Sequence, residues 1–451
     1  MRLWTLYASL ILTGCAILAC SSGTGLKAER PDDGGYALLS ARLQALVRDG
    51  YYREAAEIGK KIIPLAEARF GTRHEETLRS MTLAGLALRK NGEYAEAEAI
   101  LLAANSNAMA LWGKKHVGLV EIRNSMAELY LAYGKMDAAA KYADQAWTGA
   151  EDWRTIDPLK YAEALKTAGL VQYHLGEYDR ALAFYKSAYQ IRLTNLGANH
   201  LLTAESLNNL AVVHTLKGDY TNGLAKYQRS LAIRTNLLSP GHPDIAQSWN
   251  NLASFHFFHG AYDEALQYYL KAYELWKERL GLLHPETGTC LNNLAEIYKR
   301  QKNWDKAEEY YKQAIKIFEA TPGRQHFLLS TVLHNLATLY DTQGNLASAE
   351  HLYLRALEVR RRQLGPRHPE LGTYLNNLAT MYYSQSRFEQ ALTCLEEALE
   401  IRIHSLGENH LKVARVLMNL SVLYQKTGNE DKARIANARA QDILQRHGLR
   451  M

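Results

Sequence analysis

Paired asparagines are the one polar feature of this sequence that recurs at a fixed spacing and that core packing does not require. The pairs Asn208–Asn209, Asn250–Asn251 and Asn292–Asn293 lie 42 residues apart. Successive helix positions point about 100° apart, so both members of a pair cannot lie in one apolar stripe. A carboxamide donates and accepts hydrogen bonds. One use for it is structural, with the second amide of each pair bonding a loop or helix end of the neighbouring repeat.

Histidine recurs at the same spacing, at most once per repeat. A metal site would need several ligands within about 2.1 Å of one ion, whereas these side chains are spread one to a repeat. Proline follows the histidine at Pro243, Pro285 and Pro369, and proline fixes φ in the first turn of a helix. We therefore predict helix starts here and no metal site. The histidines are His74, His116, His200, His242, His284, His326, His368 and His410.

No motif of a catalytic site occurs in the sequence. It lacks a nucleophile elbow, a phosphate-binding glycine loop, a His-Glu-x-x-His motif and a Cys-x-x-Cys pair. Its acidic residues show no repeated pairing, and we expect them on helix exteriors. The sequence therefore predicts no catalytic residue, no cofactor and no enzyme. The alternative is an enzyme, or a regulatory subunit of one, whose site has no recognisable motif.

The asparagines belong to a 42-residue repeat that covers nearly the whole chain. The phrase Leu207–Ala211 (Leu-Asn-Asn-Leu-Ala) returns in related form at Trp249, Leu291, Leu333, Leu375 and Leu417. A turn position has the same spacing and is glycine in most repeats, as expected where one helix turns into the next. The turn positions are Gly50, Gly92, Gly134, Gly176, Gly218, Gly260, Lys302, Gly344, Ser386 and Gly428. Small residues follow five positions later, at Ala55, Ala97, Ala139, Ala181, Gly223, Ala265, Ala307, Ala349, Ala391 and Ala433.

Each repeat has the pattern of two helices. Leu291, Leu294 and Tyr298 are spaced to share one helix face, and a second apolar stripe begins at Trp304, after the turn. One hairpin of helices cannot bury its own stripe. Neighbouring hairpins must therefore stack to form a continuous core.

This pattern resembles the tetratricopeptide repeat, and the 42-residue period with its Leu-Asn-Asn-Leu-Ala phrase is similar to the repeats of kinesin light chain and related bacterial proteins. The resemblance covers about residues 36–447. It implies an all-α fold, a right-handed α-solenoid of about ten helical hairpins. The solenoid domain is expected to span residues 36–451 and to end in a polar capping helix. The expected partner is a protein or an extended peptide.

The resemblance also implies a location for binding. In the family, the first helix of each hairpin lines a groove, and asparagines there hold the backbone of an extended peptide. Lys299 and Arg300 would give that groove a basic stretch. The structural use of the amides remains the alternative. The predicted groove residues are Asn208, Asn209, Asn250, Asn251, Asn292, Asn293, Asn335, Asn376, Asn377 and Asn419.

The charge balance excludes one class of partner. The formal net charge is +6 over 451 residues, and no basic run interrupts the repeats. Binding to nucleic acid relies on clustered Lys and Arg that neutralise phosphates. We therefore expect no nucleic-acid partner.

The N-terminal residues resemble a bacterial lipoprotein signal peptide. The chain is apolar from Leu3 to Ala19, which is short for a membrane span of about 20 residues and typical of a secretory leader. Cys20, where the polar segment begins, is the preferred lipidation site, and Cys15 is the alternative. We predict a signal peptide at 1–19, a flexible tether at 20–35 and a membrane contact through the lipid anchor only. An uncleaved anchor or a plain signal peptide is the other possibility.

The leading functional prediction is a membrane-anchored interaction scaffold, or peptide-binding adaptor, in a bacterial envelope complex. Ser21 is not the Asp that signals inner-membrane retention in many Gram-negative bacteria, so we expect the outer membrane, facing the periplasm. In the body of the chain, Cys290 and Cys394 are 104 residues apart. Because a disulfide needs Cα atoms within about 7 Å, we expect both to remain thiols.

Overall fold

The computed structural model describes residues 33–320 and 327–447. Within these ranges the fold is all-helical, without a strand, which confirms the predicted fold class. The predicted leader, Cys15, Cys20 and His326 lie outside the described residues. The first helix begins at Asp33, within the range predicted as a tether.

Twenty α-helices occur in the described part of the chain. A short 3-10 helix, Glu151–Trp153, follows α6. The helices are α1 Asp33–Arg48, α2 Tyr52–Phe70, α3 Glu75–Lys90, α4 Tyr94–Trp112, α5 Gly118–Ala132, α6 Met136–Ala150, α7 Pro158–His174, α8 Tyr178–Leu196, α9 Leu201–Leu216, α10 Tyr220–Leu237, α11 Pro243–Phe258, α12 Tyr262–Arg279, α13 Pro285–Arg300, α14 Trp304–Ala320, α15 Phe327–Thr342, α16 Leu346–Leu364, α17 Leu371–Ser384, α18 Phe388–Leu406, α19 Leu411–Lys426 and α20 Glu430–Arg446.

The helices pair into successive hairpins, with each odd-numbered helix as the first helix and the next even-numbered helix as the second. The turn inside each hairpin has positive φ at all ten predicted positions, including Lys302 (φ 59°) and Ser386 (φ 58°). The small residues five positions later are buried, so two helices approach closely there. The predicted period therefore matches the hairpins of the fold.

Several of the recurring histidines cap first helices. His200 Nδ1 accepts a hydrogen bond from the backbone N–H of Leu202 at 3.1 Å, and His410 Nδ1 accepts one from Lys412 at 3.0 Å. Such a bond satisfies a backbone donor that has no partner inside the helix. This confirms the predicted helix starts at these positions, where the imidazole itself is the cap.

A buried arginine near the end of several second helices joins neighbouring repeats. Arg234 donates to the carbonyl of Asp244 at 3.1 Å, ten residues further on, and Arg402 donates to that of Lys412 at 3.0 Å. These bonds tie the end of one second helix to the first turn of the next first helix. The 42-residue spacing of this series is visible in the sequence, but these arginines were not among the predicted features. Its members are Arg192, Arg234, Arg360 and Arg402.

The chain divides into two compact units. Among the described residues, unit 1 comprises 33–297 with Ala320, and unit 2 comprises 298–319 and 327–447. Cys290 in unit 1 and Cys394 in unit 2 are buried free thiols. In unit 2 the last helix, Glu430–Arg446, buries Ala433, Ala440 and Ile443 on one face. None of the described helices is long and apolar enough to cross a membrane.

Candidate functional site: the asparagine ladder of the first helices

The asparagines of unit 1 bond one another across repeats. Asn251 Nδ2 donates to Asn208 Oδ1 at 2.6 Å, and Asn293 Nδ2 donates to Asn250 Oδ1 at 3.3 Å. Each bond joins the second asparagine of one repeat to the first asparagine of the repeat before it, 43 residues earlier. We call this series of amides the asparagine ladder.

The ladder continues inside unit 2. Asn419 Nδ2 donates to Asn376 Oδ1 at 2.8 Å, again across 43 residues. Asn377 Nδ2 lies 2.9 Å from His334 Nε2, because His334 occupies the first position of its pair. Burial lowers the pKa of His334 to about 4, so the ring is neutral and its nitrogen can accept from the amide.

In unit 1 the ladder is closed to solvent. Asn208, Asn209, Asn292 and Asn293 are buried, and Asn250 is only 1% exposed. The surrounding first helix α9 is buried at every position from 202 to 213. A helix buried on all sides presents no face to solvent. These amides therefore hold repeats together in a buried interior, where such bonds are strong.

In unit 2 the ladder reaches the surface. Asn376 and Asn377 are half-buried and Asn419 is exposed. Within the described ranges, Asn376 Nδ2 and Asn419 Oδ1 have no hydrogen-bond partner in the protein, so this pair presents a donor and an acceptor to solvent. Exposed apolar side chains lie on the same helix faces, Tyr383 at 36% and Val422 at 45% exposure.

The remaining predicted groove residues have mixed environments. Asn251 in unit 1 and Asn335 in unit 2 are buried. Lys299 is half-buried, and its ammonium donates to Thr338 Oγ1 at 3.3 Å. Arg300 is exposed. The structure thus places the amides in a ladder and leaves only part of the predicted groove open to a partner.

A buried ionic network in unit 1 corrects the expectation that acidic residues lie on helix exteriors. Three cations and three carboxylates alternate along it, and each ion has an opposite neighbour. Lys166 contacts Glu128 and lies 2.7 Å from Glu163. Only Glu163 and Glu205 repeat at 42 residues, so little in the sequence indicated a network. Its members are Arg89, Glu128, Lys166, Glu163, Arg192 and Glu205.

The pKa shifts in this network keep Glu128 and Lys166 charged, which suits ion pairing and does not suit acid–base catalysis. Burial alone would raise the pKa of Glu128, but the charges of Lys166 and Arg89 outweigh it and lower that pKa to about 2. Burial opposes the charge on Lys166, yet its carboxylate neighbours raise its pKa. A general acid or base needs a pKa near the working pH, and a nucleophilic lysine must lose its proton. Glu128 and Lys166 meet neither condition.

The family is identified by six overlapping matches to the tetratricopeptide repeat model, at residues 160–236, 202–278, 244–320, 286–362, 328–404 and 371–446. No curated protein matches the chain. Among solved structures, a Rap protein complexed with competence and sporulation factor is similar at 14% identity and a TM-score of 0.54, over 83% of this chain and 99% of that one. A Podosopora anserina putative kinesin light chain, with nearly identical TPR-like repeats, has 22% identity and a TM-score of 0.40, over 46% and 98%. The family matches span more than half of the chain, so the protein belongs to the tetratricopeptide repeat family.

Proposed function

We propose that this protein is an interaction scaffold that binds a protein or an extended peptide along the first helices of unit 2. The observation that carries the proposal is the pair Asn376 and Asn419, whose mutual bond leaves one donor and one acceptor facing solvent. An extended backbone offers a carbonyl and an N–H at each residue. The amide pair can therefore hold a peptide without reading its sequence.

Apolar side chains beside the amides can contribute further binding energy. Tyr383 lies seven residues after Asn376, and Val422 lies three residues after Asn419, so each is on the same helix face as its amide. Aromatic side chains contribute much of the energy at protein interfaces because they bury a large area with little loss of entropy. We infer a partner segment that has apolar side chains at intervals along an extended backbone.

Site-specific photo-crosslinking tests this function. A photoreactive residue replaces Val422 on the first helix, and the control carries it at Ile435, which is 64% exposed on the second helix of the same hairpin. We expect the Val422 position to capture one recurring peptide segment, identified by mass spectrometry. Equal capture at both positions would place recognition elsewhere.

We further propose that the scaffold is lipidated at Cys20 and serves an envelope complex at the outer membrane. The apolar leader before Cys20 and the polar segment after it support this proposal. The test is alkyne–fatty acid labelling of cells that carry Cys20→Ala or Cys15→Ala. We expect label to be lost with Cys20→Ala. Loss with Cys15→Ala alone would move the site, and absence of label in the parent would refute the anchor.

A further inference from the structure

Two contacts in unit 1 join parts of the chain that are 194 residues apart. His242 Nε2 lies 2.9 Å from the carbonyl oxygen of Arg48, and His284 Nε2 lies 2.7 Å from that of Lys90. The two histidines are 42 residues apart, and so are the two residues whose carbonyls they contact. The same contact is therefore made by two successive repeats. We call these contacts, with the neighbouring residues Gly50, Gly92, Pro243 and Pro285, the seam.

The seam satisfies helix ends on both sides. Arg48 and Lys90 are the last residues of α1 and α3, whose terminal carbonyls have no partner within the helix. His242 and His284 are the N-caps of α11 and α13. The negative end of one helix therefore meets the positive end of another, which is a favourable arrangement of dipoles.

His284 is held in the neutral form that its seam contact requires. In His284, Nδ1 accepts a hydrogen bond from the backbone N–H of Glu286 at 3.2 Å, so Nε2–H donates to the carbonyl oxygen of Lys90. Burial lowers the pKa of His284 to about 4.

Arg279 adds a third contact at the seam. Its Nε donates to the carbonyl oxygen of Gly241 at 2.8 Å, and its guanidinium lies 4.7 Å from the centroid of the Tyr51 ring.

The close packing at the seam coincides with a ladder that solvent cannot reach. A Cβ atom on Gly50 would lie 2.4 Å from Pro243 Cδ, so the two chain segments are in van der Waals contact. The first helices that begin at the seam, α11 and α13, are buried on nearly all sides, whereas α17 and α19 of unit 2 expose Thr380 and Asn419. Both units contain the ladder, but only in unit 2 are some of its asparagines exposed to solvent.

We propose that the seam is a latch, and that opening it exposes the ladder face of unit 1 to the protein or peptide that this scaffold binds. The inference rests on the proposed function for its partner, but the latch is a property of unit 1 alone. The two histidine contacts join helix ends through hydrogen bonds, and Gly50 packs beside Pro243. In a closed unit 1 the amides bond neighbouring repeats, and an open unit 1 offers a second recognition surface of its own.

A glycine substitution provides a matched test in the full-length chain. Gly50→Ala places a methyl group against Pro243, while Gly218→Ala adds the same backbone strain (φ 85° against 79°) with nothing within 4 Å. The reporter is Gln247→Cys on the ladder face, buried at 5% exposure. Its maleimide labelling is followed at the peptide level by mass spectrometry, so native cysteines do not interfere.

We expect Gly50→Ala to raise the labelling rate by roughly tenfold or more, as when an open state of a few per cent becomes the major one. Gly218→Ala should leave the rate near that of the parent. Equal rates in the two variants, with unchanged helicity by circular dichroism, would overturn the latch. The readout needs no partner, so it is independent of whether Asn376 and Asn419 bind a peptide.

A second pair of variants covers the case in which Gly50→Ala does not fold. The double variant His242→Ala/His284→Ala loses two helix caps and the seam, whereas His200→Ala/His410→Ala loses two caps only. Faster labelling of Gln247→Cys in the first double variant alone supports the latch. The same rate in both double variants contradicts it.

Discussion

Lys302 and Ser386 occupy the hairpin turn position that glycine fills in the other repeats. Their φ values of 59° and 58° are left-handed, which costs a residue with a Cβ roughly 1–2 kcal/mol, while glycine costs roughly 0.5–1 kcal/mol in chain entropy. We therefore expect Lys302→Gly to raise the free energy of unfolding by up to about 1 kcal/mol. The measurement is the urea midpoint. Gly344→Ala, at φ 77° with open space around it, is the control and should lower the midpoint. A lower midpoint for Lys302→Gly would refute the strain.

Glu128 makes the stability of unit 1 depend on pH. Its pKa is lowered from 4.5 to about 2, so the unfolded chain takes up this proton first as the pH falls. The contribution to stability is fully present above about pH 4.5 and is lost between there and about pH 2. Glu128→Gln should cost about 3–5 kcal/mol at neutral pH, because it leaves buried cations without their partner.

The same variant should also flatten the loss of stability between pH 4.5 and 2. The measurement is the unfolding midpoint as a function of pH, with Glu54→Gln at an exposed position as the control. An unchanged pH profile in Glu128→Gln would show that the network does not determine acid stability.

The first helices use their asparagines differently in the two units. In unit 1, Asn293→Ala would leave Asn250 Oδ1 buried without a donor, and an unsatisfied buried group costs about 1–3 kcal/mol. In unit 2, water can replace the bond when Asn419, which is exposed, becomes Ala. We expect thermal melting to fall clearly for Asn293→Ala and by much less for Asn419→Ala. Equal losses would show that exposure does not set the energy of the ladder.

The hairpins and their boundaries were predictable because one period set them all. The turn glycines and the small residues recur every 42 residues, and each reports a local constraint of the backbone or of close packing. Arg234 and Arg402 occupy the same position in their repeats, so this arginine series was also predictable from the 42-residue period. The ladder bonds could not, because pairing at 43 residues depends on how one repeat is rotated against the next.

The seam and the buried ionic network could not be predicted from the sequence and are visible only in the folded chain. Contacts across 194 residues depend on the rise and rotation accumulated over several repeats, which no local pattern encodes. The network around Lys166 has no common period, since its members come from different positions of their repeats. Exposure of the predicted groove residues was likewise unpredictable, because it depends on packing between distant repeats.

Recognition by the surface ladder of unit 2 is the central functional claim, and a titration of the crosslinked partner peptide tests it most directly. We expect Asn376→Ala/Asn419→Ala to weaken binding by roughly five- to a hundredfold, since each amide contributes about 0.5–1.5 kcal/mol. The control Lys312→Ala/Lys316→Ala, on a second helix, should bind as the parent does. Unchanged affinity in the asparagine variant, with helicity and melting preserved, would contradict the claim.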